Sequence, residues 1–148
     1  MANTTATFLQ AVEQAHAAFA KDLSDLDRIA RSDASPHPVP TANRLSEARN
    51  DVAKHFELEE QDGGFLNWVV DRAPQHVRTV EMLRTQHREL LLALEALARE
   101  VERLADSEAG SGSFKKNLHH WVSKVRRHEA QENRLALEIF NSDISASD

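Results

Sequence analysis

The last third of the sequence carries an apolar stripe that repeats every three or four residues, as one face of an α-helix does. The stripe passes through His128 and Glu132, which lie between Val125 and Leu135 where the other members are apolar. A buried imidazole or carboxylate that has no partner costs several kcal/mol. This helix must therefore bring His128 and Glu132 to a partner that satisfies both side chains.

Three earlier segments have the same helical period, and Pro-rich or Gly/Ser-rich connectors separate the segments. We predict four helices, over about 4–29, 41–71, 74–105 and from 113 onward. The stretch FLNWVV, after Gly63 and Gly64, either continues the second helix or forms a packed turn. These segments predict an all-α fold, an antiparallel up-down-up-down four-helix bundle with a metal site in its core. We expect one domain over residues 1–148, with its core over about 4–140 and a polar C-terminal tail.

The composition excludes several other classes of protein. With four Gly, four Pro and no Tyr, the 148 residues favour helix over strand, and the absence of Cys excludes thiolate metal sites and thiol nucleophiles. The net charge of −6 disfavours nucleic acid as a partner. No apolar run reaches the roughly 18 residues that a membrane span needs. The first ten residues lack the basic and apolar regions of a secretory signal, so we expect a cytoplasmic protein without a membrane partner.

Histidines interrupt the other three stripes too, at His16, His55 and His87, and Glu59 follows one turn after His55. His16 lies 14 residues before Ala30, near the predicted end of its helix, and His55 lies 14 residues after Thr41, the predicted start of the next. The distances across the other two connections also agree within about one helical turn, roughly 5 Å. The spacing therefore predicts that these four residues share one level of the bundle with the polar pair on the fourth helix.

Two helices carry an H-x-x-x-E unit, and residues four apart lie on the same face of a helix. Two such carboxylates can bridge two metal ions while four imidazoles take terminal positions. Imidazole and carboxylate without sulfur suit Fe, Mn or Zn. If the second helix is rotated by one position, Glu60 takes the place of Glu59. We expect the remaining histidines to lie outside the site: His37, His76, His119 and His120.

The stretches HFELEE, LRTQHREL and HEAQENRLALEIF resemble the hemerythrin-like, or HHE cation-binding, family, and the resemblance extends from His16 to about Phe140. It implies a left-handed four-helix bundle with two iron ions in an oxo- or hydroxo-bridged centre, with Zn or Mn as alternatives. By matching position it also implies four terminal ligands and two bridging ones. The terminal ligands are His16, His55, His87 and His128, and the bridging ligands are Glu59 and Glu132.

The sequence departs from the oxygen-carrying members of that family at one position. Those members have a second histidine four residues before the one that His87 matches, and this chain has Leu83 there. The iron concerned is then left with a water, an open position or an extra carboxylate such as Glu60.

The resemblance implies binding of O2 or a related small ligand such as NO or peroxide. The role is then oxygen or redox sensing, iron handling or protection from oxidants, and we expect a ligand-binding protein rather than a dedicated enzyme. No residue stands out as a general acid, so none is assigned a catalytic role. Two alternatives remain open, a di-metal oxidase or peroxidase that turns over and a metal-stabilised helical scaffold that binds another protein.

Overall fold

The computed structural model describes residues 2–104 and 110–147, and side-chain environments over 14–104 and 110–142. The described chain is helical apart from short connections, and no strand occurs within it. Five α-helices and one 3-10 turn follow each other. They are α1 (Ala2–Arg31), α2 (Pro38–Glu60), α3 (Phe65–Arg72), the 3-10 turn Pro74–His76, α4 (Val77–Leu104) and α5 (Ser111–Ser147). The four long helices match the four predicted segments. The predicted connector over 105–109 lies outside the described residues.

Proline and glycine set the ends of α2. Pro38 occupies the first turn, where its missing N–H leaves no hydrogen bond unmade. After Glu60 the chain turns through Gly63, whose φ is +79°. A Cβ atom on Gly64 would lie 2.3 Å from the carbonyl oxygen of Leu58, so only glycine fits there. This turn makes FLNWVV part of a separate short helix, which answers the question that the sequence left open.

The four long helices form a bundle in which α2 packs against α1 and α4, and α5 packs against the same two helices. Arg44, near the start of α2, contacts Asp22 and Asp25 in the last third of α1, at 2.6 and 2.8 Å. Asn117, near the start of α5, donates a hydrogen bond to Glu100 near the end of α4. The short helix α3 lies against α2, α4 and α5.

The apolar core has two parts. The larger part includes Phe19, Leu45, Leu94 and Trp121 and takes residues from all four long helices. The smaller part is built by α3, α4 and α5, from Leu66, Val69, Ala73, Val80, Leu83, Leu135 and Ile139. Along α4 the two parts are separated by the turn that carries His87, and along α5 by the turns that carry His128 and Glu132. A polar layer thus lies between two apolar clusters.

Two predicted ends differ from the observed ones. The third segment opens with a 3-10 turn at Pro74 and becomes α-helical at Val77. The helix α5 starts at Ser111 and continues through the polar tail to Ser147. Within the described residues, no helix is both long enough and apolar enough to cross a membrane.

Candidate metal centre

The polar layer contains three buried histidines and one buried glutamate, namely His55, His87, His128 and Glu132. Glu59 is largely enclosed, with 12% of its side chain exposed. His16 is exposed, although its ring centroid lies 5.7 Å from that of His55. The expectation that His16 points into the core is therefore wrong, because Ala15 occupies the buried position on that turn of α1. Its role as a ligand stays a prediction.

One group of ligand atoms joins α4 to α5. His87, His128 and Glu132 each offer one atom, and these atoms lie within 4.8 Å of one another. Glu132 Oε1 is 3.4 Å from His87 Nε2 and also contacts His128 Nε2. All three side chains are at least nine-tenths buried, so water cannot satisfy them. This group has the donor set that Fe, Mn and Zn accept.

Hydrogen bonds on the far side of each ring fix the orientation of these two histidines. His128 Nδ1 lies 2.7 Å from Gln86 Oε1, and His87 Nδ1 lies 3.1 Å from Glu60 Oε2. An amide or carboxylate oxygen only accepts, so each Nδ1 carries the proton and donates it. Each Nε2 then presents its lone pair toward Glu132. Ligating histidines are commonly held in this way by an outer partner.

Glu60 therefore lies behind His87 and not beside the candidate metal position. Its other oxygen is 3.8 Å from Arg84 Nη1, and Arg84 in turn donates to Asn67 Oδ1 at 3.0 Å. Asn67 donates to the backbone carbonyls that follow α2. This chain of contacts holds Glu60 away from the ligand group. The suggestion that Glu60 replaces a missing histidine is not supported by this arrangement.

A second group of ligand atoms joins α2 to α5. It consists of His55, Glu59 and Glu129, again with one atom from each within 4.8 Å of the others. His55 Nε2 is 3.2 Å from Glu59 Oε1 and 3.5 Å from Glu129 Oε1. Glu59 Oε1 is also 3.7 Å from His87 Nε2, so the two groups are adjacent. Glu129 was not among the residues expected from the sequence.

Four ligand atoms in these groups are buried and make no hydrogen bond: His55 Nε2, Glu59 Oε1, His128 Nε2 and Glu129 Oε1. Three of them belong to the second group, where His55 Nε2 lies 3.2 Å from Glu59 Oε1 and 3.5 Å from Glu129 Oε1, and His128 Nε2 belongs to the first group. Such an arrangement is costly for the protein alone, because buried polar atoms without partners lose their hydration. A cation in each group would satisfy imidazole lone pairs and carboxylate oxygens at once, so the residues present fit a bound metal.

Burial also sets the protonation of the first group. Burial, followed by the charge of neighbouring His55, lowers the pKa of His87 to about 4. Burial and the charge of His87 lower the pKa of His128 to about 4 as well. Burial raises the pKa of Glu132 to about 8. At neutral pH the imidazoles are therefore neutral, as metal ligation requires, and Glu132 holds a proton that a metal ion must displace.

Aromatic rings pack against the histidines and restrict their movement. Phe56 stacks on the His87 ring, with centroids 3.9 Å apart, and meets the His128 ring edge-on at 5.6 Å. Phe19 stacks on His55 with centroids 4.4 Å apart. Leu83, one turn before His87, is fully buried in the smaller apolar cluster. The ligand atoms are thus enclosed by apolar side chains.

The bundle has a layer of histidine and glutamate side chains between two apolar clusters. These features define the class of the protein, which is all-helical and has a candidate cation site. The family model of the hemerythrin HHE cation-binding domain matches residues 7–140, and the chain belongs to this family. No curated protein and no solved structure matches the chain. The family membership confirms the resemblance inferred from the histidine and glutamate motifs.

The structure brings together five of the six residues that the sequence singled out, three in the first group and two in the second. His16 belongs to neither group. Of the histidines expected outside the site, His37, His119 and His120 are exposed, and His76 is half-buried in the 3-10 turn.

Proposed function

We propose that this protein binds two metal ions, with iron as the native metal, and uses them to bind O2 or a related small ligand such as NO or peroxide. The observation that carries the proposal is that four buried ligand atoms of the two groups, on α2 and α5, make no hydrogen bond. Family membership supports cation binding, and the adjacency of the two ligand groups supports a pair of ions. The two ligand groups would hold the iron ions, and bound iron would supply the electrons and the attachment point for the small ligand.

Each ligand group holds one ion in this proposal. His87, His128 and Glu132 bind the first, and His55, Glu59 and Glu129 bind the second. The 3.7 Å separation of Glu59 Oε1 from His87 Nε2 favours a bridging role for Glu59. The ring centroid of His16 lies 5.7 Å from that of His55, and we retain His16 as a terminal ligand of the second ion.

The surrounding side chains keep the centre selective for small ligands. Phe19 and Phe56 stack on the rings of His55 and His87 and shield these two ligands from water. Gln86 and Glu60 hold the two Nε2 lone pairs in place. Exclusion of water strengthens the electrostatic interactions between charged ligands and cation. We therefore favour ligand binding, in a sensing or protective role, over turnover of an organic substrate.

The proposed arrangement of helices is the antiparallel up-down-up-down order in a single domain. The start of α2 meets the end of α1 through Arg44 and Asp22, and the start of α5 meets the end of α4 through Asn117 and Glu100. Both contacts support that order. A cytoplasmic location, expected from the sequence, stays a prediction.

Iron loading followed by metal analysis tests the proposal. The loaded chain should contain about two iron ions, as a di-iron bundle requires. His128→Ala and Glu132→Ala should each lose metal, whereas His76→Ala, in the 3-10 turn, should keep it. Fewer than one iron per chain in protein produced with added iron, or mainly zinc in that protein, would refute the di-iron assignment.

The optical spectrum of the ferrous protein separates binding from turnover. A lasting absorption change on addition of O2 or NO supports a ligand-binding role. Repeated consumption of peroxide without a lasting change supports the oxidase or peroxidase alternative instead.

A further inference from the structure

A cleft of about 360 Å³ opens between α4 and α5 and reaches the back of the candidate metal centre. Gln86 and His128 line its inner part, where His128 is almost fully buried. Lys124 and Arg127 line its outer part and are exposed. A cavity of this size is at the lower end of the range that small-molecule sites occupy. The cleft is therefore large enough for a compact organic molecule.

The charges around the cleft favour an anion. Lys124 and Arg127 make no ion pair with any residue in the part of the chain that the structure describes. Glu89 is the one acidic side chain among the residues that line the cleft. On α5 between residues 115 and 134 the only acids are Glu129 and Glu132, and both are turned toward the candidate metal centre. A protein of net charge −6 thus presents, within the described residues, two unpaired cations at the rim of this cleft.

The remaining lining is both apolar and hydrogen-bonding. Leu90 and Ala93 on α4 provide an apolar wall, while Gln86 and Gln131 provide amide groups. The Arg127 guanidinium can take a carboxylate through two parallel hydrogen bonds, and Lys124 can add a third. An apolar wall facing a cationic rim matches a molecule that has an apolar body and one carboxylate.

We propose that the cleft between α4 and α5 binds a small organic carboxylate, with its carboxylate at Lys124 and Arg127 and its apolar body against Leu90 and Ala93. This site goes beyond the proposed function, because its residues hold the ligand without needing a metal ion. It also touches the metal centre, since Gln86 lines the cleft and accepts the hydrogen bond from His128. A ligand in the cleft would therefore lie beside the residue that orients the His128 ring.

Benzoate is a suitable probe, and the metal-free protein is the form to test. Nuclear magnetic resonance follows the side-chain amide signals of Gln86 and Gln131 during titration at constant ionic strength. We expect saturable shifts of both signals with benzoate. Benzyl alcohol tests the apolar contact alone and formate tests the charge alone, and both should bind more weakly than benzoate.

Two matched double variants remove the same charge in different places. Lys124→Gln with Arg127→Gln should weaken benzoate binding about tenfold, the effect of losing two exposed charge contacts. Lys116→Gln with Arg78→Gln removes two exposed cations outside the cleft and should leave binding unchanged. All four side chains are exposed, so both variants should keep the fold, which circular dichroism checks.

Three results overturn the proposal. They are shifts that do not saturate, equal binding of benzyl alcohol or formate, and equal weakening by both double variants. Saturable benzoate binding in a protein that takes up no iron keeps this inference and removes the proposed function. Uptake of about two iron ions without benzoate binding supports the proposed function and removes this inference.

Discussion

Gln86 Oε1 accepts a hydrogen bond of 2.7 Å from His128 Nδ1, across the interface between α4 and α5. Because the amide oxygen cannot donate, the bond fixes the proton on Nδ1 and leaves Nε2 free to ligate. His87 is held differently, by the carboxylate of Glu60. Two histidines of one ligand group thus have outer partners of unequal charge, one neutral and one anionic.

Replacing Gln86 by Ala should therefore weaken metal binding without removing a ligand. Loss of an outer partner of this kind typically costs 10- to 100-fold in affinity, so we expect a decrease of about that size. Competition with a chelator of known affinity measures it. Gln75→Ala, an exposed glutamine in the 3-10 turn, is the matched control and should bind metal like the parent protein. An unchanged affinity for Gln86→Ala contradicts the orienting role.

Glu129 is expected to be a ligand of the second ion. Glu129→Gln keeps the size of the side chain but removes the charge, so the group on α2 and α5 should lose affinity while the group on α4 and α5 keeps its three ligands. We predict that metal content falls from about two ions to about one. Glu138→Gln, an exposed glutamate further along α5, serves as the control. A variant that still holds both ions with parent affinity shows that Glu129 is not a ligand of the second ion.

The sequence indicated most of the residues that the structure groups in the candidate site, because helical periodicity and connector lengths carry geometric information. The stripes on α2, α4 and α5 gave His55, Glu59, His87 and the pair on α5. Glu129 was missed because a stripe follows one line along a helix. The buried sector of α5 is wider, since that helix packs against both α1 and α4. The sequence did offer one signal for Glu129, because this residue directly follows His128, which the stripe placed on the buried face.

On the first helix, periodicity included a residue that the structure leaves exposed. The apolar period of this helix placed His16 on the buried face, yet Ala15, Phe19 and Leu23 take the buried positions and His16 lies at the edge. Asp22 is also buried, which a hydrophobic pattern cannot indicate, because its burial depends on Arg44 from another helix. Periodicity is uncertain by about one position, and a ligand assignment is sensitive to that difference.

Metal binding to the first group should release a proton. Since burial raises the pKa of Glu132 to about 8, the carboxyl is protonated at neutral pH in the metal-free protein. The two histidines have their pKa near 4 and contribute no proton above pH 6. Affinity for Zn(II), a redox-inert probe, should therefore rise about tenfold per pH unit from pH 6.5 to 8 and level off above that.

Calorimetry in two buffers of different ionisation enthalpy measures the same proton directly. About one proton per ion should be released by this group at pH 7, and about none at pH 9. Proton release that stays constant across this range contradicts the assignment of the raised pKa to Glu132.

The buried contact between α1 and α2 gives a prediction about stability that is independent of the metal. Burial, and then the neighbouring Asp51, raise the pKa of Asp22 to about 6, although Arg44 acts in the opposite direction. A folded-state pKa above the unfolded value means that the stabilising contribution is present at low pH and is lost as pH rises from about 4 to about 6. At pH 7.5, where Asp22 is ionised, its raised pKa lowers the free energy of unfolding by at most about 3 kcal/mol.

Asp22→Asn removes that cost, because an amide can accept from Arg44 without carrying charge. We expect the variant to be more stable than the parent in urea unfolding at pH 7.5, with the gain shrinking at pH 4.5. Asp25→Asn is the contrasting variant, since the hydrogen bond from Arg44 lowers the pKa of Asp25. Its contribution is present at high pH and lost at low pH, so Asp25→Asn should destabilise most at pH 7.5. If both substitutions shift stability in the same direction at pH 7.5, the opposite pKa shifts of the two aspartates are disproved.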